Sequence, residues 1–374
     1  MHFSISNHQG MRFPCLVSLF FCIGLSLSIY AQETFPVNGV FNKNHTCYAF
    51  TNARIYTDYE HVIDCGTLLI KDGVIVDVGE KVTIPRSAVV YDLKGKYIYP
   101  SFIDMYSNYG VPEPKKTHRS MHPQYETATR GAYDWNQAVK PEFNAVAVFN
   151  SDRKAAEEYR KMGFGVVLTL QKDGIARGSA SVVTLGETRE NELVLLDKAA
   201  ACYSFDKGSS SQEYPSSLMG AIALLRQTYL DGEWYKDNQK KTEYNASLLA
   251  WNALQALPQI FEVKDKLSAL RAAKIAKEFN THYIIKGSGD EYQRLEDLEE
   301  TRCPFILPLN FPGFSNVDDP YDAMNIPLEE LKHWEMAPAN PAFFEKKNMT
   351  FALTAAGVIF IENSVYRKGF LGVN

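Results

Sequence analysis

The chain has 374 residues, 45% of them apolar, 13% aromatic and 22% charged, and carries a formal net charge of −5. That composition excludes a disordered, collagenous or coiled-coil protein and describes a globular chain long enough for one large domain or two. Lysine plus arginine total 39 against 44 aspartate plus glutamate, with no basic run, so no nucleic-acid partner is expected.

Residues 1–31 read as a signal peptide. Arg12 is the only charged side chain before Glu33, and Cys15–Ala31 is an uncharged, mainly apolar run ending in small or polar residues. Cleavage after Ala31 would give an exported protein, periplasmic or secreted. The apolar run falls short of the roughly 20 residues of a spanning helix, so no stable membrane span is expected after cleavage. Cys47, Cys65, Cys202 and Cys303 then remain, too widely spaced for a metal knuckle or a disulfide framework. Cys47 and Cys65 either pair after export or stay as free thiols.

Residues 32–99 read as an all-β module, with strands expected at Thr51–Thr57, Gly66–Lys71, Val74–Val78, Val89–Leu93 and Lys96–Tyr99. Lys71-Asp72-Gly73 between two apolar alternations is a hairpin signal, because Asp-Gly tolerates the positive φ of a tight turn. From residue 100 to 357 strands alternate with helices. Strands are expected at Phe102–Met105, Ala145–Phe149, Val166–Leu170, Ser181–Leu185, Pro258–Val263, Tyr283–Lys286, Phe305–Leu309 and Thr350–Thr354. The clearest helices are Ser216–Tyr229, Tyr244–Leu257 and Lys266–Phe279. This alternation implies an α/β fold built on a mainly parallel sheet.

The run Gly95-Lys96-Tyr97-Ile98-Tyr99-Pro100-Ser101-Phe102-Ile103-Asp104, behind a β module with a Lys-Asp-Gly hairpin, resembles the N-terminus of the metal-dependent amidohydrolase superfamily in its imidazolonepropionase-like branch. The similarity continues through Gly163–Val167, Pro258–Phe279 and Tyr283–Tyr292, covering roughly Phe50 to Gly357. The resemblance implies a (β/α)8 TIM-type barrel that carries zinc or another divalent metal, flanked by a small composite β domain drawn from both chain ends.

The metal-binding motifs of the family are altered here. Active members end the first barrel strand with Asp-x-His-x-His, because alternate residues of a strand face one side and two imidazoles can grip one ion. The matching Asp104-Met105-Tyr106-Ser107-Asn108 has neither histidine. The family's fifth-strand and sixth-strand histidines match Glu262 and Lys286, and its eighth-strand aspartate falls at Ala355 within Thr354-Ala355-Ala356. A protonated lysine has no lone pair to donate and repels a cation. The resemblance therefore implies that the catalytic metal site is lost at Tyr106, Asn108, Glu262, Lys286 and Ala355. No cofactor is expected in this chain, and a Glu262–Lys286 ion pair is expected where the ion would sit.

Other features stand outside those motifs. His118 and His122 precede Pro123 in a stretch without helical period and read as loop histidines, a peripheral metal site being the alternative. Gln171–Gly178 reads as a loop at the mouth, where Lys172, Asp173 and Arg177 are candidates to hold an acidic small molecule and Gly174 and Gly178 would admit it closely. The alternative is a solvated loop locked by a contact of Lys172 or Arg177 with Asp173. Ser209-Ser210-Ser211 reads as a loop. Residues 358–374 form an atypical, truncated-looking tail, which predicts a barrel incomplete at its C-terminus.

Three functions follow as expectations. The first is an inactive relative of hydrolases of non-peptide C–N bonds, a pseudoenzyme corresponding to a degenerate N-terminal unit with a second amidohydrolase unit as its partner. The second is a periplasmic binding module for an acidic small molecule. The third is an atypical hydrolase of cyclic amides built on Tyr106, Asn108 and Glu262.

Overall fold

The structure, a computed structural model, describes residues 46–114, 123–313 and 318–358. Residues 1–31, expected as a signal peptide, His118, His122 and the tail beyond Val358 lie outside the described residues. The chain divides into two compact units between Pro100 and Ser101.

In the first unit, β1 (Cys47–Tyr56), β2 (Val62–Lys71), β3 (Val74–Gly79) and β4 (Val89–Asp92) form a sheet in the order β3-β2-β1-β4, and β5 (Tyr97–Ile98) also pairs with β1. Asp72 and Gly73 turn the chain between β2 and β3 with φ of 54° and 77°, the left-handed pair that matches the twist of a two-residue hairpin. Cys47 lies opposite Lys71 and Ala53 opposite Gly66, so Cys47 and Cys65 sit at opposite ends of the β1–β2 ladder. Both are free thiols, one buried and one exposed. The possible disulfide is thereby corrected by register.

The second unit holds an eight-stranded sheet in the order β13-β12-β11-β10-β9-β8-β7-β6. Its strands are β6 (Phe102–Ser107), β7 (Phe164–Thr169), β8 (Ala176–Thr184), β9 (Val194–Ser204), β10 (Gln259–Glu262), β11 (Tyr283–Lys286), β12 (Phe305–Pro308) and β13 (Phe351–Thr354). All neighbours run parallel except at β8, which is antiparallel to both β7 and β9. The sheet is mainly parallel, as expected, and β8 is its one reversed strand among the described residues. β7 reaches β8 by a short loop and β8 reaches β9 through one turn of helix, α2 (Glu190–Leu193), so neither connection has the helical crossover that a parallel pair needs. Between the two ends of the sheet no backbone ladder occurs among the described residues. The Thr354 hydroxyl of β13 instead lies 2.6 Å from Asp104 Oδ1 and 3.1 Å from the Tyr106 carbonyl oxygen of β6.

Strand periodicity sorts the side chains onto two faces. Ala201, Tyr203, Phe261, Tyr283, Ile285, Phe305 and Leu307 belong to the large core under the helices. Their neighbours Ala200, Cys202, Ile260 and Ile306 join Tyr106, Leu168, Leu170 and Ala180 in a second cluster on the inner face. Members from β6 and β12 in one cluster mean that the sheet curls around it. Glu262, two residues beyond Ile260, and Lys286, two beyond the inner-facing Ile284, are carried to the same side.

The covering helices have readable signals. After α1 (Arg153–Lys161), α3 (Leu218–Asn238) starts at Ser217, whose side chain accepts from Gly220 N–H. It runs past the expected Tyr229 because Gly232 lets the helix lie against the indole of Trp251, where a Cβ would come within 2.5 Å of Cδ1. Then come α4 (Ala246–Leu254) and α5 (Lys266–Glu278). Asp265 caps α5 through Ser268 N–H, and Ala269, Ala272 and Ile275 form its buried stripe. The remaining helices are α6 (Leu295–Thr301), α7 (Pro320–Met324), α8 (Leu328–Met336) and α9 (Asn340–Lys346).

Two local expectations fail for physical reasons. Ala145–Val148 is a 3-10 turn instead of a strand, because the Asn144 side chain accepts from Val146 N–H and closes the chain locally. β9 was not expected as a strand: its Asp-Lys-Ala-Ala-Ala run favours helix, and pairing with β8 on one side and β10 on the other overrides that preference.

Asp134, buried beside this core, supplies a pH test of stability. Burial pushes its carboxyl up to about 7, helped by Asp231 and Glu142 against the pull of the Asn136 amide. A raised native pKa means a contribution that is full below the ordinary carboxyl range and is lost as pH rises through about 7. Asp134→Asn is expected to be more stable than the parent protein at pH 8 by on the order of 2 kcal/mol, with the gap closing toward pH 4. Urea unfolding at both pH values checks this, and a gap that does not change with pH refutes it.

Candidate functional site

The C-terminal ends of β6, β7, β9 and β10 and the first residues of the reversed strand β8 meet at one end of the second unit. Arg177 and Gly178, expected in a loop, belong to β8. Opposite them the ladder runs from Ala176↔Tyr203 to Ser179↔Ala201, so two residues of β8 face Cys202 alone. This is a bulge, with Gly178 at φ 78°, and it aims the Arg177 side chain inward.

Arg177 Nη1 donates to Glu262 Oε2 at 2.5 Å and to Tyr106 Oη at 2.8 Å, while its Nε donates to the Gly174 carbonyl at 3.1 Å. Lys286 Nζ lies 3.7 Å from Glu262 Oε1, as expected from the facing positions of the two residues on β10 and β11. The nearer partner, Arg177, was not foreseen. Lys172 Nζ and Lys286 Nζ stand 5.1 and 5.8 Å from the centre of the Tyr106 ring, within cation–π range. Three cations thus surround one phenol and one carboxylate.

These groups set one another's protonation. Burial pushes the Glu262 carboxyl up, but Arg177, Lys286 and Lys172 together hold it below its ordinary value. Burial pulls Arg177 down, yet Tyr106 and Glu262 leave it above the ordinary range. Burial drives the Lys172 ammonium down, opposed by Glu262 and assisted by Lys286. Burial pushes Cys202, close by on β9, up to about 12, which leaves a neutral, unreactive thiol. Asp104 is wholly buried and raised by burial; its Oδ2 has no hydrogen-bond partner.

The other expected residues lie apart from this cluster. Asp173 is buried and paired with Lys140, and it accepts from Ser209 N and Oγ at 2.5 and 2.8 Å. It therefore ties its segment to the Ser209-Ser210-Ser211 loop, and its locking partner is Lys140 instead of Lys172 or Arg177. Gly174 and Gly178 admit this chain's own backbone, since a Cβ at either would meet Ala138 O at 2.7 Å or Phe143 O at 2.0 Å. Asn108 is exposed. Ala355 packs with Tyr109 and Tyr159, while Ala356 lies against the Tyr106 cluster.

The donor set does not fit a divalent metal. Tyr106 Oη accepts from a guanidinium, both Glu262 oxygens face cations, and Lys286 supplies a positive charge. Among the described residues no group of three or more His, Cys, Asp or Glu side chains could hold an ion. The mouth instead opens into a cavity of about 860 Å³ lined by Lys172, Asp173, Arg177, Ser209 and Glu262 among others. An adjoining hollow of about 540 Å³ adds Lys286 and Ser204.

No family model matches the sequence, and no curated protein matches it. Among solved structures, an amidohydrolase from Thermotoga maritima MSB8 aligns with a TM-score of 0.65 over 86% of this chain and 84% of its own, at 21% identity. The chain shares the fold of that protein. Another amidohydrolase aligns over 87% of this chain and 83% of its own, with a TM-score of 0.43 and 14% identity. A prolidase complexed with N-methylphosphonate-L-proline covers 83% and 78%, with a TM-score of 0.41 and 12% identity. Within this fold, the clustered cations come from β8, β11 and the segment after β7.

Proposed function

We propose that this chain is an exported, metal-free member of the amidohydrolase superfamily whose mouth binds a small acidic molecule. The observation that carries the reading is Glu262 held between Arg177 and Lys286, with Lys172 across the Tyr106 ring. Lysine and arginine lining two adjoining cavities that share Arg177 and Glu262 suit a carboxylate, whereas a divalent ion would meet repulsion. The atypical-hydrolase reading is disfavoured, because Asn108 is exposed and Glu262 is too firmly ionised and paired to act as a general base near neutral pH. The proposal includes closure of the eight strands into a TIM-type barrel, removal of residues 1–31 on export, and a second amidohydrolase unit as partner.

Succinate at about 100 times its dissociation constant should add about 2.7 kcal/mol of stability, seen as a rise in Tm, and Lys286→Met should remove most of that rise. Zinc should neither raise Tm nor survive dialysis against a weak chelator. Stoichiometric retained zinc, or the same Tm with and without a panel of mono- and dicarboxylates, would sink the reading. Mass spectrometry of the exported protein checks the signal peptide; an intact Met1 counts against it.

A further inference from the structure

Lys172 differs from the other two cations of the mouth. Arg177 and Lys286 are both engaged with Glu262, whereas Lys172 makes no ion pair or hydrogen bond among the described residues. It continues the inner-face series Leu168, Leu170 and stands over the Tyr106 ring in the wall of the larger cavity. A residue needed only as a fixed positive charge gains from a carboxylate partner. This amine has no such bonded partner, and burial together with the cations Lys286 and Arg177 outweighs the pull of Glu262 and Asp104 on its charged form, an environment that makes a lysine nucleophilic.

The geometry points to Lys172 as an amine nucleophile that condenses with the carbonyl group of a 2-oxo acid whose carboxylate is held by Arg177 and Lys286. This deepens, and rests on, the acidic-ligand reading above. The free amine's lone pair attacks the carbonyl carbon and a C–N bond forms. The carbonyl oxygen takes up protons and leaves as water, and the nitrogen loses its protons to give a C=N bond. No oxidant or reductant is consumed. A 2-oxo acid suits the site because its carbonyl carbon is bonded directly to the carboxylate, and the cations that anchor the acid also stabilise negative charge on the carbonyl oxygen during attack. The same surroundings hold the ammonium below its ordinary value, and each unit of depression raises the free-amine fraction about tenfold at neutral pH.

The test is reductive trapping on the full chain. With pyruvate and cyanoborohydride at pH 7.5, peptide mapping by mass spectrometry should find Lys172 modified at least about tenfold faster than the exposed lysines. Succinate should slow that labelling, and propanal, which lacks a carboxylate, should favour Lys172 over the exposed lysines less than pyruvate does. Lys172→Met should keep its circular dichroism and lose the fast phase. Labelling of Lys172 no faster than surface lysines overturns the inference, and so does an equal preference for Lys172 over the exposed lysines with pyruvate and with propanal. A succinate-induced Tm rise without fast labelling leaves the acid site standing and removes only the nucleophile, so the two failures are distinguishable.

Discussion

Gly178→Ala is expected to cost about 4 kcal/mol of stability. Two penalties combine at this position. With φ at 78°, an alanine pays about 1–2 kcal/mol for a left-handed backbone. A Cβ there also falls 2.0 Å from Phe143 O and 2.8 Å from its carbonyl carbon. Those atoms are backbone, fixed by Ser179 N–H donating to Phe143 O, so relief requires moving the strand or its neighbour at a further cost of about 1–3 kcal/mol. Because the bulge aims Arg177, the variant should also lose the succinate-induced Tm rise. Urea denaturation and the same thermal assay measure both effects, and a loss below about 1 kcal/mol would show that the bulge relaxes freely.

Glu262→Gln is expected to cost about 3 kcal/mol, since it leaves an almost wholly buried guanidinium without its counter-charge beside two lysines. The sequence alone suggests that adding Lys286→Met would restore most of the loss. With Arg177 as the nearer partner the double variant should remain destabilised, and only a change at Arg177 as well should recover stability. The pH dependence has a fixed sign. Glu262 is held below its ordinary value, so its contribution is full above the usual carboxyl range near pH 4 and is lost as pH falls through the depressed native value. Parent and variant stabilities should therefore converge in acid, which unfolding curves from pH 2 to 7 would reveal.

The legible parts of the fold are those written in a short period or in turn chemistry. The Asp72-Gly73 hairpin, the Asp265 cap and the Phe102, Tyr283 and Phe305 strands all follow from neighbouring residues. So does the facing of Glu262 and Lys286, which needs only two adjacent parallel strands with the same inward phase. Arg177 on Glu262 was not legible, because it depends on a strand that reverses direction and on a bulge that shifts the phase by one residue. The Lys140–Asp173 tie was hidden for a related reason. Its partners lie on segments with no regular period, and nothing local in either marks the other. Ala355 shows the limit of aligning by motif: a one-residue offset on a strand exchanges the inner face for the outer one.

The reversed strand has a consequence for how the chain assembles. Parallel neighbours such as β10 and β11 must wait for an intervening helix to bring them together, whereas β7, β8 and β9 follow one another as a meander with short connections. Loop closure is cheaper for such local contacts, and topologies rich in them form faster. The meander is therefore expected to gain amide protection before the β10–β13 side during refolding, so that Arg177 is set in place before Glu262 arrives to meet it. Pulsed hydrogen exchange can order the two events, and earlier protection of β10–β13 would reverse the sequence.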